Sequence, residues 1–94
     1  MIDFWAEWCA PCKKLDANTF SDPDVAEEAK RFVALKIDVT EPTASAERRF
    51  REEYGLAGVP YVLFIDSTGE RRPELAVTGY VGPSVMLERM RAVR

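Results

Sequence analysis

Four short apolar runs alternate with polar segments along the chain and predict the strands of a sheet. Met1 to Ala6 predicts a buried strand, Phe32 to Val39 a second one rich in branched residues, and Tyr61 to Asp66 a third. The turn residues Ser67 to Glu70 come next. We therefore expect Glu74 to Thr78 to return antiparallel and to complete a hairpin.

Helical patterns lie between and after these strands. A helix is predicted over Pro11 to Asn18, directly after the first strand, and a second one starts at Pro23 with Asp22 as its N-cap. Two more are predicted, from Thr43 to a stop at Gly55, and from Gly82-Pro83-Ser84 onward. The positions predicted to face inward on the second, third and fourth helices are Val25, Ala26, Ala29, Ala46, Phe50, Tyr54, Val85, Met86, Met90 and Val93. This order predicts an α/β fold with a central mixed sheet flanked by helices.

Length and composition exclude several classes of protein. The chain has 94 residues, enough for one domain; it is 47% hydrophobic and 31% charged, with a net charge of −3. No basic cluster exceeds Arg48, Arg49 and Arg51, so we expect no nucleic-acid partner. The longest mainly apolar run, Leu56 to Ile65, is too short to cross a bilayer, and we expect no direct membrane insertion. The amino end lacks the pattern of a signal peptide.

The chain contains no histidine and two cysteines, Cys9 and Cys12. The absence of histidine excludes Ser-His-Asp and Cys-His catalysis and imidazole-ligated metals. A single bridge across so short a loop stabilises a fold little, and a structural zinc site needs four ligands. We therefore expect no metal and no cofactor beyond the cysteine pair itself. A zinc site shared by two copies, or two unrelated cysteines, remain as alternatives to a redox pair.

Cys9-Ala10-Pro11-Cys12 is typical of a redox dithiol that follows a strand and opens a helix. With Cys9 just before the helix and Cys12 one turn into it, the two sulfurs lie on the same side and within bonding reach. Pro11 suits an early helical position because its missing N–H would be unpaired there. The free amides and the dipole of the first turn favour the Cys9 thiolate, which is the attacking species. Cys12 is then the resolving thiol.

The segment Asp3 to Lys13 resembles the active-site segment of the thioredoxin superfamily, and Gly58-Val59-Pro60 resembles the family's cis-proline loop. The resemblance implies one thioredoxin-like domain over residues 1–94. It implies that Pro60 is cis and lies against the dithiol, and that the Val59 backbone pairs with an extended substrate strand. The strand and helix that usually come first in this fold are missing, so the chain is either excised from a longer protein or lacks an edge strand.

A narrower resemblance is to the C-terminal periplasmic domain of the DsbD family of thiol:disulfide interchange proteins. It rests on residues 19–25 and 77–80, and on the absence of a kinking proline from residues 14–18. The Ala10-Pro11 dipeptide, in contrast, is closer to thioredoxin. The DsbD resemblance implies a domain that receives electrons from a transmembrane segment and relays them to another domain of the same protein.

Two carboxylates are candidate catalytic groups beside the cysteines. Asp3 interrupts an apolar strand, and the family has its buried acid at this position; burial of a lone carboxylate is costly without a function in proton handling. Asp16 follows Cys12 by four residues and shares its helical face. We expect their negative charge to raise the Cys9 pKa and to make the pair reducing. The residues expected to contact a substrate are Trp8, Ala10, Pro11, Val59 and Pro60, with Tyr80 near them.

The predicted function is a thiol:disulfide oxidoreductase that reduces the disulfides of partner proteins through Cys9 and Cys12. We expect a monomer in the periplasm, with disulfide-bearing proteins as electron acceptors and a membrane protein as donor. The alternatives are a stand-alone cytoplasmic reductase of the thioredoxin type, which receives electrons from a flavoprotein, and a redox-inactive binding module with the same fold.

Overall fold

The computed structural model describes residues 1–41, 45–54 and 58–93. Its strands and helices are, in chain order, β1 (Ile2–Trp5), α1 (Ala10–Lys14), a π-helix (Leu15–Thr19), α2 (Pro23–Ala29), β2 (Leu35–Asp38), α3 (Ser45–Tyr54), β3 (Tyr61–Leu63), a 3-10 turn (Pro73–Leu75), β4 (Val77–Thr78) and α4 (Pro83–Ala92). None of the helices in the described ranges is both long enough and apolar enough to cross a bilayer.

The described strands form a mixed four-stranded sheet in the order β2-β1-β3-β4, which confirms the predicted architecture. β1 runs parallel to β2 and antiparallel to β3, so Asp3 lies between Lys36 and Val62. β3 pairs antiparallel with β4, as the hairpin pattern predicts. The strand that leads into the dithiol is the first of the described elements.

The core consists of two clusters of buried side chains. One contains both cysteines, and its other members are Ile2, Phe4, Ala6, Val39 and Leu63. The second joins the helices to the sheet, and its members are Leu15, Val25, Val62, Phe64, Val77, Met86, Met90 and Val93. Asp3 shares a sheet face with its register partner Val62, and Val62 packs in the cluster of Leu15, three residues after Cys12. The helical segment after Cys12 therefore covers the face that carries Asp3, whereas Cys12 itself packs with Ile2 and Phe4 of the opposite face.

The strands are shorter than the apolar runs that predict them. β2 starts at Leu35 instead of Phe32, because the Phe32 N–H donates to the Ala29 carbonyl (3.0 Å) and continues the end of α2. β3 ends at Leu63, and the hairpin continues only as an isolated bridge between Ile65 and Arg71. The predicted strand from Glu74 starts instead with the 3-10 turn, since Pro73 cannot donate to a sheet.

The helices agree with the predicted pattern except at Leu15, Ala26 and Val85. The first helix changes at Leu15 to a π-helix, in which the Phe20 N–H donates to the Leu15 carbonyl at 2.9 Å. Ala26 and Val85 are exposed instead of inward, because their neighbours Val25 and Met86 occupy the centre of the buried faces. The predicted cap at Thr43, the predicted stop at Gly55 and the predicted inward positions of α3 lie outside the described residues and side chains.

Candidate active site

The two cysteines form a disulfide at the amino end of α1, with a Cα–Cα distance of 5.3 Å. Cys9 is the N-cap in an extended conformation, and its Sγ accepts a hydrogen bond from the Cys12 N–H at 3.2 Å. Pro11 occupies the first turn, where a missing donor carries no penalty. The two sulfurs therefore lie on one side and within bonding reach, as the Cys-x-x-Cys spacing predicts.

The disulfide is buried beneath exposed neighbours. Cys9 and Cys12 are each 3% exposed, whereas Trp8 is 61% exposed. Ala10 and Pro11 are exposed as well. These three exposed residues beside the buried cysteines, which we call the rim, are therefore available for contact with a partner.

The loop at Val59 and Pro60 lies on the same side as the dithiol. The peptide bond between them is cis, as the family resemblance implies, and the half-buried Val59 side chain packs against the cluster that contains both cysteines. The Pro60 carbonyl accepts from the Gly79 N–H at 3.1 Å. Gly79 has a φ of +79°, a conformation that favours glycine, and this residue anchors the loop to the end of β4.

Asp3 is half-buried on β1, and the pKa of its carboxyl is raised from 3.8 to about 6, mainly by burial. The negative charge of Asp16 contributes to this rise, and the positive charge of Lys36 opposes it. A carboxyl with a pKa near 6 is mostly ionised at neutral pH and still accepts a proton readily, which is the property a proton-handling group needs.

Asp16 belongs to the surroundings of Asp3. Its carboxylate pairs with the Lys36 ammonium at 2.7 Å, and that ammonium lies 4.6 Å from the centre of the half-buried Trp5 ring. A surface cavity of about 360 Å³ is lined by Asp3, Asp16, Lys36 and neighbouring apolar residues of α2 and β2. The structure therefore brings both predicted acids to one cavity, on the sheet face covered by the helical segment after Cys12.

Lys36 is a residue of this site that the sequence pattern did not single out. It lies opposite Asp3 in the β1–β2 register, so its side chain is on the same sheet face as the half-buried acid. A lysine within the apolar run Phe32 to Val39 is the only signal that the sequence offers. The register that places it beside Asp3 depends on how the two strands pair.

Two exposed aromatic residues lie near the dithiol. Trp8 donates its Nε1–H to the Thr40 carbonyl at 3.1 Å, so the ring is held although most of it is exposed. Tyr80 is 37% exposed, and the Lys14 ammonium lies 4.5 Å from its ring centre. Both rings are available to a protein partner.

Comparison with known proteins identifies the family. The sequence profile of the thioredoxin-like domain matches residues 1–94. The chain belongs to the thioredoxin-like family. The thioredoxin-like fold predicted from Asp3 to Lys13 and from the Val59-Pro60 loop is thereby confirmed.

Curated relatives within this family support the narrower resemblance. The chain is 34% identical over its whole length to the thiol:disulfide interchange protein DsbD of Tatumella citrea, and it covers 16% of that protein. It is 36% identical to DsbD of Salmonella choleraesuis (strain SC-B67) over 81 residues, which are 86% of the chain and 14% of the relative. The chain thus spans about one sixth of the length of these proteins.

Solved structures also superpose on almost the whole chain. The reduced DsbD C-terminal domain of Neisseria meningitidis superposes with a TM-score of 0.85 at 31% identity, covering 99% of this chain and 78% of that one. A thioredoxin from Thermus thermophilus superposes with a TM-score of 0.78 at 20% identity, covering 97% and 69%. Together with the Cys9–Cys12 disulfide, the DsbD relatives support the predicted thiol:disulfide oxidoreductase and its disulfide reductase class.

Proposed function

We propose that this domain reduces disulfides of partner proteins through Cys9 and Cys12, as the electron-relaying C-terminal domain of a DsbD-like protein. The observation that carries the proposal is the disulfide at the amino end of α1, where the Cys9 sulfur accepts the Cys12 N–H. A donor aimed at the sulfur stabilises negative charge on it, which favours the attacking thiolate.

The exchange proceeds in two steps. The Cys9 thiolate attacks one sulfur of the partner disulfide; a Cys9–partner bond forms, the partner S–S bond breaks, and the released partner thiolate takes up a proton. Cys12 then loses its proton and attacks the Cys9 sulfur, which forms the Cys9–Cys12 bond and releases the second partner thiolate. Two electrons pass to the partner, and the domain ends oxidised.

Asp3 is the group proposed to accept the proton that Cys12 releases. Its pKa near 6 keeps it ionised at neutral pH, and it lies on the sheet face that the helical segment after Cys12 covers. The cavity beside it offers the proton a path to solvent. Asp16 acts through Asp3, because its charge raises the Asp3 pKa while its ion pair holds Lys36 in place.

The rim and the Val59-Pro60 loop form the proposed contact surface for partners. The exposed rim residues flank Cys9, and the half-buried Val59 packs against the cluster that contains both cysteines. An extended partner segment that pairs with the Val59 backbone has its disulfide directed at Cys9. Tyr80 and Lys14 extend this surface.

The DsbD relatives fit a periplasmic location, and we propose that location for the parent protein, with this chain as one domain of it. The proposed donor is a membrane segment of the same protein, and the acceptors are disulfide-bearing proteins. The domain itself is proposed to act as a monomer that needs no cofactor besides the cysteine pair. A membrane-spanning region encoded upstream supports the relay, whereas a stand-alone gene favours a cytoplasmic reductase served by a flavoprotein.

Insulin reduction tests the proposal directly. The dithiothreitol-reduced chain is expected to reduce insulin disulfides, Cys9→Ser is expected to lose the activity, and Cys12→Ser is expected to accumulate a mixed disulfide that gel electrophoresis without reductant detects. A parent chain that folds but reduces no disulfide overturns the proposal and favours a redox-inactive binding module. Metal analysis of the reduced protein tests the zinc alternative.

A further inference from the structure

The turn that carries Cys9 is attached to the sheet through Thr40. The Cys9 N–H donates to the Ala6 carbonyl at 3.1 Å, which closes a turn with Glu7 and Trp8 at its corner. The Glu7 N–H donates to the Thr40 Oγ1 at 2.9 Å, and the Trp8 Nε1–H donates to the Thr40 carbonyl at 3.1 Å. Both corner residues of the turn are therefore bound to one residue that follows β2.

Asp38 orients the Thr40 hydroxyl for this contact. The Thr40 N–H donates to the Asp38 Oδ1 at 2.9 Å, and the Thr40 hydroxyl donates to the same oxygen. A hydroxyl has one proton, so donation to Asp38 turns a lone pair toward the Glu7 N–H. The two hydrogen bonds also lower the pKa of Asp38, which keeps its carboxylate ionised and available as acceptor.

We propose that Thr40 is a positioning residue for the dithiol. It holds the turn before Cys9, so that Cys9 stays next to Cys12 when the disulfide is reduced. The inference rests on the proposed function, because it assigns a residue that sets how readily the Cys9–Cys12 pair gives up its electrons. It adds a residue that neither contacts the sulfurs nor belongs to the Cys-x-x-Cys motif.

The physical basis is the freedom of the reduced chain. In the oxidised domain the S–S bond itself holds Cys9 near Cys12, whether or not the turn is attached. In the reduced domain only the fold restrains the two thiols, and each hydrogen bond to Thr40 removes conformational freedom in advance of ring closure. Loss of these bonds therefore favours the reduced form, and the dithiol becomes a weaker reductant.

The chain contains a matched control for this motif. Thr68 follows Asp66 as Thr40 follows Asp38: its N–H donates to the Asp66 Oδ1 at 2.9 Å, and its hydroxyl donates to the same oxygen at 2.5 Å. This second motif lies in the hairpin turn after β3, where Asp66 bonds Thr68 and Glu70. Thr68→Val therefore removes the same local hydrogen bond as Thr40→Val, without a link to Glu7 or Trp8.

The experiment compares the 94-residue wild-type chain with Thr40→Val, Thr40→Ser and Thr68→Val. Each is equilibrated with defined ratios of reduced and oxidised glutathione, and the fraction oxidised is read after acid quench and thiol alkylation. Thr40→Val is expected to lower the equilibrium constant for disulfide formation about three- to tenfold, which is the effect of about one hydrogen bond. This corresponds to a reduction potential about 15 to 30 mV less negative. Thr40→Ser is expected to restore the wild-type value, and Thr68→Val to leave it unchanged.

Three results overturn the inference: an unchanged constant in Thr40→Val, no recovery in Thr40→Ser, or an equal fall in Thr68→Val. If Thr40→Val does not fold, Asp38→Ala replaces it, because loss of the Asp38 carboxylate frees the Thr40 hydroxyl to turn away from Glu7. An unchanged equilibrium constant for disulfide formation in Asp38→Ala also overturns the inference. A wild-type chain whose cysteines do not exchange with glutathione instead contradicts the proposed function. The failures of the two proposals are thus distinguishable.

Discussion

Replacement of Asp3 by asparagine is expected to stabilise the oxidised domain at neutral pH. Burial of the carboxylate is the main cause of its raised pKa, so the folded state binds the Asp3 proton more tightly than the unfolded chain does. A rise of the Asp3 pKa from 3.8 to about 6 corresponds to at most about 3 kcal/mol against the folded state once the group is ionised. Partial solvent access screens this penalty, and we expect a gain of about 1 to 2 kcal/mol.

The pH dependence of this gain has a definite sign. Below pH 3.8 Asp3 is protonated in both states and contributes no penalty; between 3.8 and about 6 the unfolded chain ionises first, and the penalty grows. Above about pH 6 it is constant. Urea unfolding of the oxidised wild type and of Asp3→Asn, followed by circular dichroism from pH 3.5 to 8, measures the difference between their free energies of unfolding.

The control and the refuting results follow from the same electrostatics. Asp16→Asn keeps Asp3 but removes a charge that raises the Asp3 pKa. In this variant the penalty from ionised Asp3 is therefore expected to reach its constant value at a lower pH than in the wild type. A difference between wild type and Asp3→Asn that is absent at pH 7, or that has the same size at pH 3.5 and pH 7, contradicts the assignment of a penalty to ionised Asp3.

Three further perturbations test the site and the core. Lys36→Met is expected to raise the Asp3 pKa above 6, because the positive charge of Lys36 lowers that pKa. NMR titration of the Asp3 carboxyl carbon measures the change, and Lys36→Arg, which keeps the charge, is the control. Met90→Ala is expected to destabilise the domain by about 2 to 5 kcal/mol, whereas Val85→Ala, on the exposed face of the same helix, stays within about 0.5 kcal/mol in urea unfolding. Gly79→Ala is expected to cost about 1 to 2 kcal/mol through its positive φ and to slow insulin reduction by loosening the Pro60 loop; an unchanged rate contradicts the anchoring of that loop.

The pattern of apolar runs predicted which strands and helices are present more accurately than it predicted the residues at which they begin and end. Each predicted strand is present, yet Phe32 continues α2 and Pro73 starts a 3-10 turn, because local hydrogen bonding at each end overrides the apolar pattern. Ala26 shows the same effect on a helix: Val25 occupies the buried centre, and the inward side of a short helix is narrow.

The residues of the candidate site likewise fall into those that the sequence predicted and those that only the structure revealed. Cys9 and Cys12 could be found from spacing alone, since one turn of helix brings residues three apart together. Lys36 and Thr40 could not, because their contacts with Asp3 and with the Glu7–Trp8 turn join segments more than thirty residues apart along the chain.

By itself the sequence determined the family, the dithiol and Asp3 as the candidate acid, because two motifs of neighbouring residues, Asp3 to Lys13 and Gly58 to Pro60, indicate them. Only the tertiary structure decided that Asp16 and Lys36 lie on one cavity with Asp3, and that Thr40 binds the turn before Cys9. The physical reason is strand register. A shift of one residue between β1 and β2 moves Lys36 to the opposite face of the sheet, and that register depends on packing across the whole core.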